Sequence, residues 1–204
     1  YTKLFLAVDE EYISIGAWAA VQHQRKFFSD VELIISAEPN FDIGTHGILR
    51  GRTGRFIFTV NFQGKPAHVA QYRDGVDAIS MLGKFITDFY NARERLFLSQ
   101  GTFAQVRGVS GEAVGMSVCG SASVEVEVLS GYKDTLDEIY KRLQSLTYEK
   151  VQLKARQTPY LPGYYFTTFP YQKIIGDIIR RNTGKAMELH SRMSVGDDNV
   201  LATL

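Results

Sequence analysis

The apolar positions change rhythm along this chain, and the changes divide it into regions. The first region opens with "KLFLAV" (Lys3 to Val8), a continuous apolar run of strand length. That pattern predicts a strand covered on both faces of a sheet. "SIGAWAAVQHQRKFF" follows and predicts a helix with Ser14 as its N-cap. "VELIISAEP" predicts a second apolar strand, ended by Pro39. Strand, helix and strand together make a unit of the α/β kind. Ligands of such sheets bind outside the carboxyl ends of the strands. Asp9, Glu10, Glu11 and Glu38 all fall at those ends, so two strands are expected to deliver carboxylates to one edge.

The rhythm then switches to alternation. In "RFIFTVNF", Phe56, Phe58, Val60 and Phe62 share one face, as in a half-buried strand. "GVDAISMLGKFITDFYNARERL" has Ile79, Leu82, Ile86 and Phe89 at helical spacing. "TFAQVRGV" and "ASVEVEVL" predict two further strands. "DTLDEIYKRLQSL" predicts an amphipathic helix, and "VQLKAR" a last strand. The order β-α-β-β-α-β is the ferredoxin-like layout. We therefore expect an inserted domain over residues 52–157, within an α/β domain formed by residues 1–51 and 158–204. The α/β style returns at Tyr164: "YQKIIGDIIRRNTG" predicts a helix closed by Gly184, ahead of a short strand around Met187 to Leu189. "GTHGILRGRTGR" lacks the Lys-Ser/Thr of a phosphate-binding loop and predicts only the linker into the insertion.

Composition narrows the function classes. The 204 residues carry a formal net charge of +1, which argues against a dedicated nucleic-acid binder. No apolar run is long enough to span a membrane. Cys119 is the only cysteine, so no intrachain disulfide forms and a reducing, cytoplasmic compartment is expected. The chain starts inside a strand-like run and stops in what predicts the first turn of a helix, which suggests a piece of a longer protein.

Two features carry candidate chemistry. Adjacent carboxylates in a pocket are costly unless a cation or proton compensates. A divalent metal answers that need for Glu10 and Glu11, with one carboxylate as ligand and its neighbour as general base. Glu38 is then a second oxygen ligand. The same "DEE" also suits a solvated turn. His68, in a loop between a strand and a helix, suits a donor to an oxyanion, or a histidine that merely packs or caps. His23, His46 and His190 have no partner at metal-ligand spacing, and Cys119 is expected to pack as a small apolar residue.

Five stretches together resemble one family. It is the co-catalytic zinc hydrolases that include aminoacylase, acetylornithine deacetylase, succinyl-diaminopimelate desuccinylase and carboxypeptidase G. "AVDEEYISIGA" resembles its DEE-x-x-S/G-x-GA block, and "ELIISAEPNF" its strand ending in Glu-Pro. "GRFIFTVNFQGKPAHVAQYRDGVDAI" resembles the start of its inserted dimerisation domain. "YYFTTFPYQKIIGDIIRRNTGK" resembles the return to its catalytic domain, and "SVGDDNVLATL" its late Gly/Ser-Asp block.

The resemblance implies an α/β fold, with a partial zinc-peptidase-like catalytic domain and a ferredoxin-like dimerisation (lid) domain. It implies Glu10 as general base, Glu11 as a zinc ligand, Glu38 as ligand to a second zinc, and His68 as an oxyanion donor that reaches a neighbouring subunit. Asp197 matches the late-block Asp, in a structural role. Two zinc ions are implied for the intact protein, with cobalt or manganese as alternatives. The implied substrate is a small N-acyl-amino acid or peptide, and the implied assembly a homodimer through the insertion.

Departures matter. The family's His-x-Asp motif, bridging Asp and late His lie outside this sequence, so the chain alone is expected to be inactive. Its Asn-x-x-Pro stretch and following Arg have no counterpart in "GMSVCGSASVEVEV", where Arg107 is a candidate substitute. Asp77 stands where Asn is usual. That erosion keeps open a non-catalytic dimerisation or ligand-binding module. A magnesium site for phosphoryl transfer lacks a basic phosphate clamp.

Overall fold

The computed structural model describes residues 2–10, 14–37, 43–98, 101–155 and 160–204. The chain divides into two compact units: Tyr1–Gly54 with Tyr160–Leu204, and Arg55–Pro159.

In the second unit, β2 (Gly54–Gln63), α3 (Ala78–Leu96), β3 (Phe103–Gly111), β4 (Ser121–Ser130), α4 (Leu136–Gln144) and β5 (Val151–Ala155) follow in chain order. The strands form one sheet in the order β3-β4-β2-β5, the ferredoxin-like arrangement expected from the pattern. Alternation fixes which face is covered, because successive side chains of a strand point to opposite faces. Phe56, Phe58, Val60 and Phe62 of β2 join Val124, Val126 and Val128 of β4 in one buried core. Phe85 and Phe89 of α3 and Ile139 and Leu143 of α4 fill its other side. A capping box starts α4: Thr135 accepts from the Glu138 amide, and Glu138 reaches back to the Thr135 amide.

The other face of this sheet is polar. Arg55 donates to Glu127 at 2.7 Å and Gln105 to the same carboxylate at 2.8 Å. Arg107 is the extra residue where the β3–β4 register shifts between Val106 and Gly108, and it lies 3.8 Å from Glu125 and 3.9 Å from Glu127. A bulge re-aims the side chain it carries, and here it aims a cation at two carboxylates.

In the first unit, α1 (Ile15–His23) and α2 (Arg25–Phe28) precede β1 (Gly47–Arg52), and β6 (Tyr164–Tyr165), α5 (Gln172–Thr183), β7 (Glu188–Arg192) and α6 (Asp197–Leu201) come after the insertion. Its sheet has the order β6-β1-β7, with β1 antiparallel to β6 and parallel to β7. A small core gathers Ala17, Leu161 and Val200, with Phe5, Trp18, Val21 and Val195 against it. Gly184 closes α5 with φ 72°, a backbone region glycine enters without a Cβ penalty.

Four expectations change. Residues 3–8 and 31–37 form no strand, because no neighbouring strand pairs with them among the described residues. Leu4, Leu6 and Val8 are 78%, 80% and 68% exposed, while Phe5 packs edge-on against Phe28. The expected single helix breaks at Gln24, whose φ of −123° leaves the helical region. Ser14 precedes α1 in a left-handed conformation and its side chain makes no cap bond. The stretch expected to be only a linker contains β1, whose glycines and arginines carry no apolar strand pattern.

Burial pushes the Glu127 carboxyl up, but hydrogen bonds from Gln105 and Arg55 and the charges of Arg55 and Arg107 outweigh it and hold it below the usual range. A depressed carboxyl stabilises the fold above its unfolded pKa and loses that contribution as pH falls through the folded value. Chemical denaturation of Glu127→Gln is therefore expected to show a stability loss of roughly 1–3 kcal/mol at pH 7, shrinking steadily as the acid range below the ordinary glutamate pKa is entered.

Candidate functional site

The segment before α1 folds back on itself. The Ser14 amide donates to Asp9 O at 3.0 Å and the Gly16 amide to Val8 O at 3.2 Å. A Cβ on Gly16 would stand 2.7 Å from both Val8 N and Val8 O, so only glycine allows the return. Asp9, with φ 60°, turns the chain just before Glu10, which is half-buried.

A second turn meets that carboxylate. A Cβ on Gly196 would lie 2.6 Å from Asp198 Oδ1, 3.3 Å from Glu10 Oε1 and 3.5 Å from Arg52 Cζ. The three charged groups therefore share the space that a side chain at 196 would fill. Gly196 has φ −169°, ordinary extended backbone, so its importance is close approach and not strain.

Arg52 is 7% exposed at the end of β1. Its Nε donates to Asp198 Oδ2 at 2.8 Å, and Nη1 donates to Ser194 Oγ at 2.9 Å and Val195 O at 3.3 Å. The Tyr164 hydroxyl donates to the same Asp198 oxygen at 2.6 Å. Burial and that bond push the Tyr164 phenol far above its usual range, so it stays a neutral donor. Asn199, fully buried, accepts from the Gly196 amide at 2.8 Å and donates to Thr53 O and Pro162 O at 2.9 and 2.8 Å. It ties the late turn to the residue that follows β1 and to the segment before β6. Asp197 is half-buried; burial, aided by the Asp198 charge, pushes its carboxyl up, against the nearby Ser14 hydroxyl.

His68 lies in the other unit. The loop over residues 64–78 is laced to residues 116–120 by backbone bonds: Gly64 N to Gly120 O, Val69 N to Met116 O, Val118 N to Ala67 O and Ala78 N to Cys119 O, all at 2.9 Å. His68 itself bridges to Ser117. Its side chain is exposed, and Nδ1 accepts the Ala70 amide at 3.1 Å, capping the 3-10 turn Val69–Asp74. Asp77 caps α3 by accepting from Ile79 N at 3.0 Å, as asparagine would, so this departure leaves the helix start intact.

Glu10 and His68 are thus placed, each within its own unit, while Glu11 and Glu38 lie outside the described residues. Among the described residues no three His, Cys, Asp or Glu side chains converge on a metal position. Zinc sites take about four ligands, three from protein when catalytic, so the described residues alone do not fit such an ion. Arg52, Tyr164, Asp198 and Asn199 escaped the sequence reading. The doublet Asp197–Asp198 after Gly196 was the available signal, and Asp198, not Asp197, is the paired member.

Residues 50–151, half of the chain, match the family model described as the peptidase dimerisation domain, M20_dimer. The chain belongs to this family. No curated protein sequence matches it. Its fold is similar to aminopeptidase PepT from Bacillus cereus, with TM-score 0.73 and 18% identity over 97% of this chain and 52% of that one. It is similar to a tripeptidase from Staphylococcus aureus, with TM-score 0.74 and 19% identity over the same shares of 97% and 52%. An amidase of the hydantoinase/carbamoylase family from Burkholderia phymatum follows at TM-score 0.60 and 16% identity, over 81% of this chain and 44% of that one. The chain thus spans about half the length of these structures, or less. No helix among the described residues is long and apolar enough to cross a membrane.

Close approach at Gly196 makes a direct prediction. In Gly196→Ala the new methyl meets a carboxylate already held by Arg52 and Tyr164, and a stability loss of about 1–3 kcal/mol is expected. Gly83→Ala is the control: nothing lies within 4 Å there, and replacing a mid-helix glycine is expected to stabilise by roughly 0.5–1 kcal/mol. Denaturant melts of both variants check the contrast.

Proposed function

We propose that the protein containing this chain hydrolyses amide bonds, as a peptidase or N-acyl-amino-acid deacylase. The observation that carries the reading is the placement of Glu10, whose carboxylate meets the Gly196–Asp198 turn where Arg52 is buried. Membership of the peptidase dimerisation-domain family supports the reaction class. So do the names of the similar structures: an aminopeptidase, a tripeptidase and an amidase.

In this reading Glu10 is the general base. It takes the proton of the attacking water and returns it to the leaving amine, so the proton count balances over one turnover. His68 donates a hydrogen bond to the oxygen that becomes negative as the carbonyl turns tetrahedral. Glu11 and Glu38 are proposed as two of the ligands that would hold two zinc ions. Bound zinc contributes Lewis acidity and an acidified water. The domain boundaries are placed near residues 52 and 157. The compartment is cytoplasmic, in keeping with one buried, unpaired cysteine, Cys119.

The alternative is a non-catalytic module. What favours it is β4, which offers Glu125 and Glu127 on its open face where the resemblance would place Asn, Pro and Arg. Full-length protein assayed with zinc on N-acyl-amino acids and peptides separates the two. For Glu10→Ala we expect a fall in kcat of about 100-fold or more; a variant as fast as the parent removes Glu10 from the mechanism.

The same protein is proposed to be a homodimer through the unit Arg55–Pro159. Sedimentation equilibrium is expected to give twice the monomer mass, and a monomer at high concentration would exclude His68 from acting in a neighbouring subunit.

A further inference from the structure

We infer that the backbone amide of Ala70 is a positioning group for His68. By donating to Nδ1 it holds the neutral imidazole in the tautomer protonated on Nε2, so that the ring's single N–H points away from the protein. The inference rests on the proposed oxyanion role for its use, but its geometry stands on its own.

A backbone N–H can only donate. Its acceptor, Nδ1 at 3.1 Å, must therefore offer a lone pair. Neutral imidazole has one donor and one acceptor nitrogen, so occupation of Nδ1 as acceptor assigns the proton to Nε2. Among the described residues nothing accepts from Nε2, which leaves that N–H free for an incoming oxygen. A ring of the opposite tautomer would turn a lone pair outward, and it would repel a developing oxyanion.

The donor is as fixed as the ring. Ala70 is the second residue of the 3-10 turn that His68 caps. The turn's first residue, Val69, is tied through its amide to Met116 O at 2.9 Å, and His68 O accepts from Gln71 N at 2.7 Å. The loop's far end is pinned where Lys65 and Val76 exchange both backbone bonds at 2.8 Å. Two glycines permit this density: a Cβ on Gly64 would stand 2.3 Å from Val76 O, and one on Gly75 would stand 2.5 Å from Val118 Cγ2. An exposed histidine on an ordinary loop would sample both tautomers and several rotamers. His68 instead has its Cα bridged to Ser117 and its Nδ1 held by a neighbouring amide. Groups pre-aimed at the position where charge develops need no reorganisation during the reaction.

The test is tautomer-resolved NMR of full-length protein labelled with 15N-imidazole histidine, at a pH where the ring is neutral. His68→Gln assigns the signal by its disappearance. We expect an unprotonated Nδ1 and a protonated Nε2 without averaging. Removing the donor, by Ala70→Pro and separately by replacing the residue 69–70 amide with an ester, is expected to bring averaging between tautomers. Both changes are expected to lower kcat about 10-fold or more while KM changes little, since a wrong tautomer costs turnover and not binding. The ester keeps the turn's shape and decides the matter if proline disrupts the loop. A protonated Nδ1 in the unaltered protein, or an ester variant with an unchanged spectrum, overturns the inference. Amidase activity that is absent from the unaltered protein overturns the functional reading and the catalytic use of the tautomer, while the spectra still decide the tautomer itself.

Discussion

A buried guanidinium governs the first unit. Arg52 leaves water at the end of β1, and an unpaired charge in that position costs several kcal/mol. Asp198 compensates it at 2.8 Å, and Ser194 and Val195 accept from its Nη1. Those acceptors come from a segment about 140 residues further along the chain. The pair therefore joins the two stretches of sequence that flank the insertion, and Asn199 repeats the connection through Thr53. Glu10 enters this arrangement from a third stretch, at the gap that Gly196 leaves open. The candidate base thus sits beside both a cation and an acid, so its setting depends on how completely Arg52 and Asp198 neutralise each other.

The second unit solves a different problem, the display of an exposed side chain in one orientation. Exposure normally brings rotamer freedom, which costs entropy when a ligand fixes it. Here that cost is met in folding. The loop over residues 64–78 spends its backbone groups on residues 116–120, and the compact glycines at 64 and 75 let the two segments touch. His68 is presented from a loop whose backbone is bonded nearly as a sheet would be.

Much of this was legible in the sequence, for definite reasons. Alternation in Arg55–Phe62, interrupted at Ile57, and strict alternation in Ser123–Val128 pointed to both strand and face, because period two is the amphipathic signature of a strand. The four strands and two helices of the insertion followed. The site was harder to read. Glu10 and His68 stand in recognisable blocks, but Arg52 lies among glycines and a threonine that imply a flexible linker, and its strand is stabilised by partners at Tyr164–Tyr165 and Glu188–Arg192. Long-range pairing of that kind leaves no local trace. Asn199 and Tyr164 were missed for the same reason, since their partners are remote in sequence. The run at Lys3–Val8 misled in the opposite direction. Its residues suit a covered strand, and the described residues supply no neighbour for it.

That last feature has a practical side. Leu4, Leu6 and Val8 form a row of bare aliphatic side chains on a segment with strand-forming sequence. Such a row invites pairing with any equivalent segment, including another copy of itself. Association through such a row would be adhesive and unspecific, a different kind of contact from the one proposed for the Arg55–Pro159 unit.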